Sequence, residues 1–117
     1  MQKYELVYYE LPSGKSPVRE FINSQDAKMK AKIQDMEDTL AQKGPKLRMP
    51  LSRFLGEGIF ELRIQVGNRR TRVLYFFCKG NKIVLTNGFV KKTQKTPVSE
   101  INKAKKYRDD FERRNQE

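Results

Sequence analysis

Between residues 61 and 95 the sequence holds nine basic side chains, Arg63, Arg69, Arg70, Arg72, Lys79, Lys82, Lys91, Lys92 and Lys95, against the single carboxylate of Glu61. Such a set can act on a phosphodiester without a metal. RNA is cut when its own 2′-hydroxyl attacks the neighbouring phosphorus, and three things help: removing that proton, neutralising the phosphorane charge, and protonating the departing oxygen. Arginine suits the second task, because it stays charged and binds phosphate oxygens bidentately. A lysine crowded by other cations loses proton affinity and can enter acid/base work near neutral pH. Tyr75 and Phe89, interleaved with these cations, are candidates for stacking on a splayed base.

Other chemistries lack their residues. The chain has no histidine, which removes the commonest general base, the usual catalytic triads and His-containing zinc sites. Gly56-Glu57-Gly58 lacks the downstream glycine and helix of a phosphate loop. The carboxylates are scattered, and Glu57 and Glu61 alone stand near the basic stretch, too few for a two-metal nuclease. No cofactor and no metal are expected.

The charge is unevenly spread. Lys and Arg number 25 against 14 Asp and Glu, a net +11; residues 1–60 contribute +2 of this and residues 61–117 contribute +9. A field of that sign gathers polyanions, with nucleic acid the first partner to consider and an acidic protein the second. A basic sheet edge can also simply resist strand pairing or dock an acidic partner. On the residues alone, binding without chemistry stands ahead of catalysis.

The elements that must position these cations follow from the pattern. Tyr4 to Tyr9 reads as a strand closed by Pro12-Ser13-Gly14. Ser16-Pro17 is a helix cap followed by proline, where its missing N–H has no partner to lose, and Val18, Phe21 and Ile22 form a short apolar face. After a break at Ser24 to Asp26, Met29, Ile33, Met36 and Leu40 recur at helical spacing until Gly44-Pro45. Leu47 to Val90 reads as an antiparallel meander. Phe60, Leu62, Ile64 and Val66 alternate with Glu61, Arg63 and Gln65, which aims Arg63 away from the core. Thr71 to Cys78 is apolar on both faces, as in a central strand, and Gly80-Asn81 makes a tight turn into Ile83 to Val90. Thr96-Pro97 repeats the cap-plus-proline start, and Val98, Ile101, Ala104, Tyr107 and Phe111 form the inner face of a last helix. The expected fold is an α+β domain, residues 1–117, with helices on one face of the sheet. Cys78 is expected as a buried apolar residue. No run approaches the roughly 20 apolar residues of a membrane span, and Met1-Gln2-Lys3-Tyr4-Glu5 has no signal pattern, so a cytoplasmic protein without a membrane partner is expected.

Three segments together resemble a known family: Leu55-Gly56-Glu57-Gly58-Ile59-Phe60-Glu61-Leu62-Arg63, Thr71-Arg72-Val73-Leu74-Tyr75-Phe76, and Gly88-Phe89-Val90-Lys91-Lys92-Thr93-Gln94-Lys95-Thr96-Pro97. Over residues 50–111 the chain is similar to the phage-derived HigB-like branch of the RelE/ParE toxin superfamily. The resemblance implies a RelE-like compact fold, ribosome-dependent cleavage of mRNA, and neutralisation by a cognate antitoxin carrying a helix-turn-helix DNA-binding domain. It also implies catalytic roles for Arg63, Arg72, Lys92 and Lys95, and RNA-binding roles for Arg69, Arg70, Tyr75, Phe89 and Lys91. Glu61 departs from the basic residue that relatives carry two positions before the counterpart of Arg63, and is open to three readings: ion-pair partner, base, or structural residue. The alternatives are a ParE-like inhibitor of DNA gyrase, which shares the fold and cuts nothing, and a non-catalytic binding module.

Overall fold

The computed structural model describes residues 3–116; Met1, Gln2 and Glu117, which the sequence reading included in its domain and its N-terminal pattern, lie outside them. In chain order the elements are β1 (Glu5–Tyr8), α1 (Pro17–Asn23), α2 (Ala27–Lys43), a 3-10 turn (Gly44–Lys46), β2 (Ser52–Gly56), β3 (Ile59–Val66), β4 (Arg69–Cys78), β5 (Lys82–Val90) and α3 (Val98–Arg114). This is the expected α+β order. The five strands form one mixed sheet in the order β1-β5-β4-β3-β2. The meander β2 to β5 is antiparallel, while β1 adds to the outside of β5 in parallel.

Local chemistry sets the helix boundaries. The Ser16 hydroxyl accepts from the Arg19 N–H at 3.3 Å with Pro17 at the first helical position, and Asp26 caps α2 by accepting from the Met29 N–H at 2.9 Å. The Gly80-Asn81 turn takes positive φ at both positions, 74° and 67°, which matches the twist of the strands it joins.

Helices cover both faces, not one. On one face Met29, Ile33, Met36 and Leu40 of α2 and Val18 of α1 pack on Leu62, Ile64, Val73, Tyr75, Ile83 and Leu85. On the other, Ala104, Tyr107 and Phe111 of α3 pack on Ile59, Leu74, Phe76 and Val84, and half-buried Cys78 joins them. A central strand that is apolar on both sides requires two covers, since its second face would otherwise expose Leu74 and Phe76 to water. Two expectations about α3 also change. Thr96 does not cap it, because its hydroxyl is turned to Glu61 instead, and Val98 is exposed and takes no part in the inner face. Among the described residues no helix is long and apolar enough to cross a membrane.

Candidate active site

A one-residue irregularity in β5 decides which side chains reach the α3 face. Leu74 pairs with Asn87 and Tyr75 with Leu85, so Thr86 is an extra residue with no partner in β4. Its hydroxyl is directed at the Leu74 carbonyl at 3.2 Å and the Asn87 Oδ1 at 2.7 Å, which anchors the bulge from within. Strand side chains alternate faces, so one inserted residue reverses the parity of everything after it. Val84 faces α3, and beyond the bulge Asn87, Phe89 and Lys91 face that way too. Asn87 Nδ2 donates to Glu100 of α3, to Oε1 at 3.0 Å and to the backbone carbonyl at 3.2 Å, and Phe89 packs with the α3-side cluster. Gly88 points the opposite way, toward Phe21 of α1.

The register then assembles the cations. Arg63 of β3 lies opposite Arg72 of β4, and Arg72 opposite Phe89 of β5. The loop of residues 91–97 meets them through Thr96, whose hydroxyl reaches Glu61. Glu61 is the centre of the group, with no exposed surface. Its Oε2 accepts from Arg63 Nε at 3.2 Å and lies 3.8 Å from Arg72 Nε, and its Oε1 accepts from the Thr96 hydroxyl. Arg72 is 6 % exposed and Lys91 7 %, whereas Arg63 is half-buried. The Arg72 Nη1 donates to the Thr71 carbonyl at 3.1 Å, while its buried Nε has no hydrogen-bond partner. Burial lowers the proton affinity of Arg72, with Glu61 acting in the opposite sense. The Lys91 ammonium is likewise lowered below the usual lysine range, chiefly by burial and further by Arg72, Arg63 and Arg70, with Glu61 again opposing.

The other residues singled out from sequence divide. Arg70, two positions from Arg72 on the same strand face, is exposed beside the cluster, and Lys92 and Lys95 are exposed on the loop. Arg69 belongs to the opposite face, where it pairs with the Asp26 carboxylate that caps α2, and so does not converge on the cluster. Tyr75 is not available to a base. It is 1 % exposed in the α2-side core, its ring stacked on Phe60 and its hydroxyl 2.5 Å from Ser52 Oγ; burial pushes its pKa up to about 12. Lys79 and Lys82 flank the far hairpin, with Lys79 seven positions from Arg72 along the chain, roughly 23 Å in extended strand. Sequence reasoning passed over two participants. Arg53 of β2 lies opposite Glu61 in register, exposed on the same face, and Thr96 was read as a helix cap. The pairing of Arg53 could have been found only by fixing the β2–β3 register, which the Gly56-Glu57-Gly58 turn does not specify uniquely. Among the described residues no three His, Cys, Asp or Glu side chains come together in a way that could hold a metal ion.

A family model described as Phage derived protein Gp49-like (DUF891) matches residues 20–109, which takes in the whole meander, the loop and most of α3. No curated protein matches the chain.

Proposed function

From the premise that this chain belongs to the phage-derived Gp49-like family, a family of RelE/HigB-like toxins, we propose that it is a metal-independent endoribonuclease that cuts mRNA on the ribosome and is neutralised by a cognate antitoxin. The observation that carries the reading is the convergence of Arg63, Arg72 and Lys91 at one end of the sheet, bordered by exposed Arg53, Arg70, Lys92 and Lys95. In the reaction the 2′-hydroxyl oxygen bonds to phosphorus and its proton leaves to water. The bond from phosphorus to the 5′-oxygen breaks, leaving a 2′,3′-cyclic phosphate and a 5′-hydroxyl. Arg63 and Arg72 neutralise the extra charge on the phosphorane, a task in which a preorganised, partly desolvated donor is worth about 10²- to 10³-fold in rate. Lys91, whose proton affinity is lowered toward the working range, donates to the 5′-oxygen. Phe89 supplies the apolar wall beside Arg72 against which a base can lie, and the exposed cations hold flanking phosphates. This gives Lys91 the proton-transfer role and leaves Lys92 and Lys95 as phosphate contacts.

The test is inducible expression of wild type, Arg72→Ala and Lys91→Met in a bacterial host, with growth followed and new mRNA 5′ ends mapped. Growth arrest with cuts inside translated messages, lost in both folded variants, supports the proposal. Arrest with intact messages and DNA damage would replace it with gyrase inhibition, and a folded wild type that does neither would leave a binding module.

A further inference from the structure

We infer that Glu61 is a positioning residue: one buried carboxylate ties β3, β4 and the 91–97 loop together and holds Arg63, Arg72 and Lys91 as a working set. The inference rests on the nuclease reading for its catalytic consequence, and on geometry alone for the positioning. Removing a carboxylate from water costs several kcal/mol, which is recovered only where good partners surround it. Glu61 has no exposure, and both its oxygens are engaged: Oε2 by Arg63 Nε at 3.2 Å, with Arg72 Nε 3.8 Å away, and Oε1 by the Thr96 hydroxyl. Three chain segments therefore meet at this one side chain. The contact with Thr96 matters because that residue stands at the end of the loop carrying Lys91, Lys92 and Lys95, so the position of the loop is referred to the arginines through Glu61.

The same carboxylate bears on proton transfer. The charges facing Lys91 are Arg63 from β3 and Arg70 and Arg72 from β4, with Glu61 the acid acting against them. Arg53 of β2 lies across from Glu61, Lys92 and Lys95 share the loop, and Glu100, the acid that α3 brings to Asn87, is engaged there by the amide. Burial and the three arginines all favour neutral Lys91, and Glu61 favours the ammonium. A general acid must carry its proton when the leaving oxygen departs. Without the Glu61 charge, Lys91 would release its proton at lower pH, and catalysis would fail first on the alkaline side.

The experiment compares wild type, Glu61→Gln, Glu61→Asp and Thr96→Val in two ways. The first is an NMR titration of the Lys91 side-chain resonance, assigned by its disappearance in Lys91→Arg, which does not depend on RNA cleavage. The second is the pH profile of cleavage on programmed ribosomes. Glu61→Gln should move the Lys91 titration and the alkaline limb of the profile to lower pH, with a loss of kcat that grows as the pH rises. Glu61→Asp, which keeps the charge and withdraws it by one methylene, should fall between wild type and Gln. Thr96→Val should lower cleavage with the Lys91 titration in place. If Glu61→Gln fails to fold, Glu61→Asp decides alone: a Lys91 titration unchanged from wild type overturns the inference. An equal loss of kcat at every pH in a folded Glu61→Gln also overturns it, since a merely structural carboxylate would behave that way. A wild type that cuts no RNA ends the nuclease reading, and the Lys91 titration still decides the role of Glu61.

Discussion

Gly88→Ala tests how closely α1 is pressed onto the strand that carries Phe89 and Lys91. A methyl group built on Gly88 would stand 2.5 Å from Phe21 Cδ2, 2.8 Å from Cε2 and 3.2 Å from the Arg72 carbonyl oxygen. For ordinary carbon–carbon contact the Phe21 ring must retreat by about 1 Å. Phe21 is half-buried on a seven-residue helix packed against β5, so the ring must leave its rotamer or α1 must lift. Overpacking of this kind costs about 1–3 kcal/mol. With a urea slope of about 2 kcal/mol per molar, a cost of ~2 kcal/mol lowers the unfolding midpoint by about 1 M. The assay is urea unfolding of wild type, Gly88→Ala, Phe21→Ala and the double variant. Because the backbone of Gly88 is not in the left-handed region, alanine is strained there only by its neighbours. In the Phe21→Ala background, Gly88→Ala should therefore cost within about 0.5 kcal/mol of nothing, its residual tightness against Arg72 being offset by the lower entropy of the unfolded chain. The coupling between the two sites should be about 1.5–2 kcal/mol. An equal cost of Gly88→Ala in both backgrounds would show that the Phe21 contact is not the reason for glycine.

Three further outcomes follow from the same structure. Glu37 is buried in α2, accepts from the Tyr8 hydroxyl at 2.6 Å, and has its proton affinity raised chiefly by desolvation. Its contribution to stability is therefore full below the ordinary glutamate range and lost as pH rises through the raised value; Glu37→Gln, which keeps an acceptor for Tyr8, should stabilise the protein at pH 8 and lose that advantage toward pH 4 in thermal unfolding, and a constant difference across this span would contradict the assignment. Tyr75→Phe removes the buried pairing with Ser52 and should cost about 1–2 kcal/mol in urea unfolding, while leaving cleavage per folded molecule unchanged; a selective loss of cleavage would return Tyr75 to the site. Deletion of Thr86 closes the bulge with Leu85 still opposite Tyr75 and Asn87 still opposite Leu74, so Phe89 and Lys91 keep the α3 face. RNA cleavage should then survive in whatever fraction folds by circular dichroism, and its loss from a folded variant would show that the bulge itself, and not the facing of the strand alone, places Lys91.

The parts of the fold legible in the sequence were those fixed by neighbours along the chain. Helical spacing of Met29, Ile33, Met36 and Leu40, the cap at Ser16 and the Gly80-Asn81 turn each depend on contacts within a few residues, and each stands as the pattern reads. The pairing of Arg63 with Arg72 follows from a short hairpin at Gly67-Asn68, so these two were within reach as well. What sequence left open was set by distant contacts. No local signal says that β1 adds in parallel to β5 or that α3 crosses to the second face. The Thr86 bulge hides because its flanks, Ile83 to Leu85 and Gly88 to Val90, each read as ordinary strand. Glu61 was obscured by a deeper assumption. Alternation with Phe60 and Leu62 turns it away from one core, which means solvent only when the sheet has a single covered face. Here β4 is apolar on both sides and its second face is also roofed, by α3 and then by the 91–97 loop. A charge on that face of β3 is thereby desolvated and must be answered by charge, and the residues that answer it, Arg63, Arg72, Lys91 and the hydroxyl of Thr96, define the candidate site.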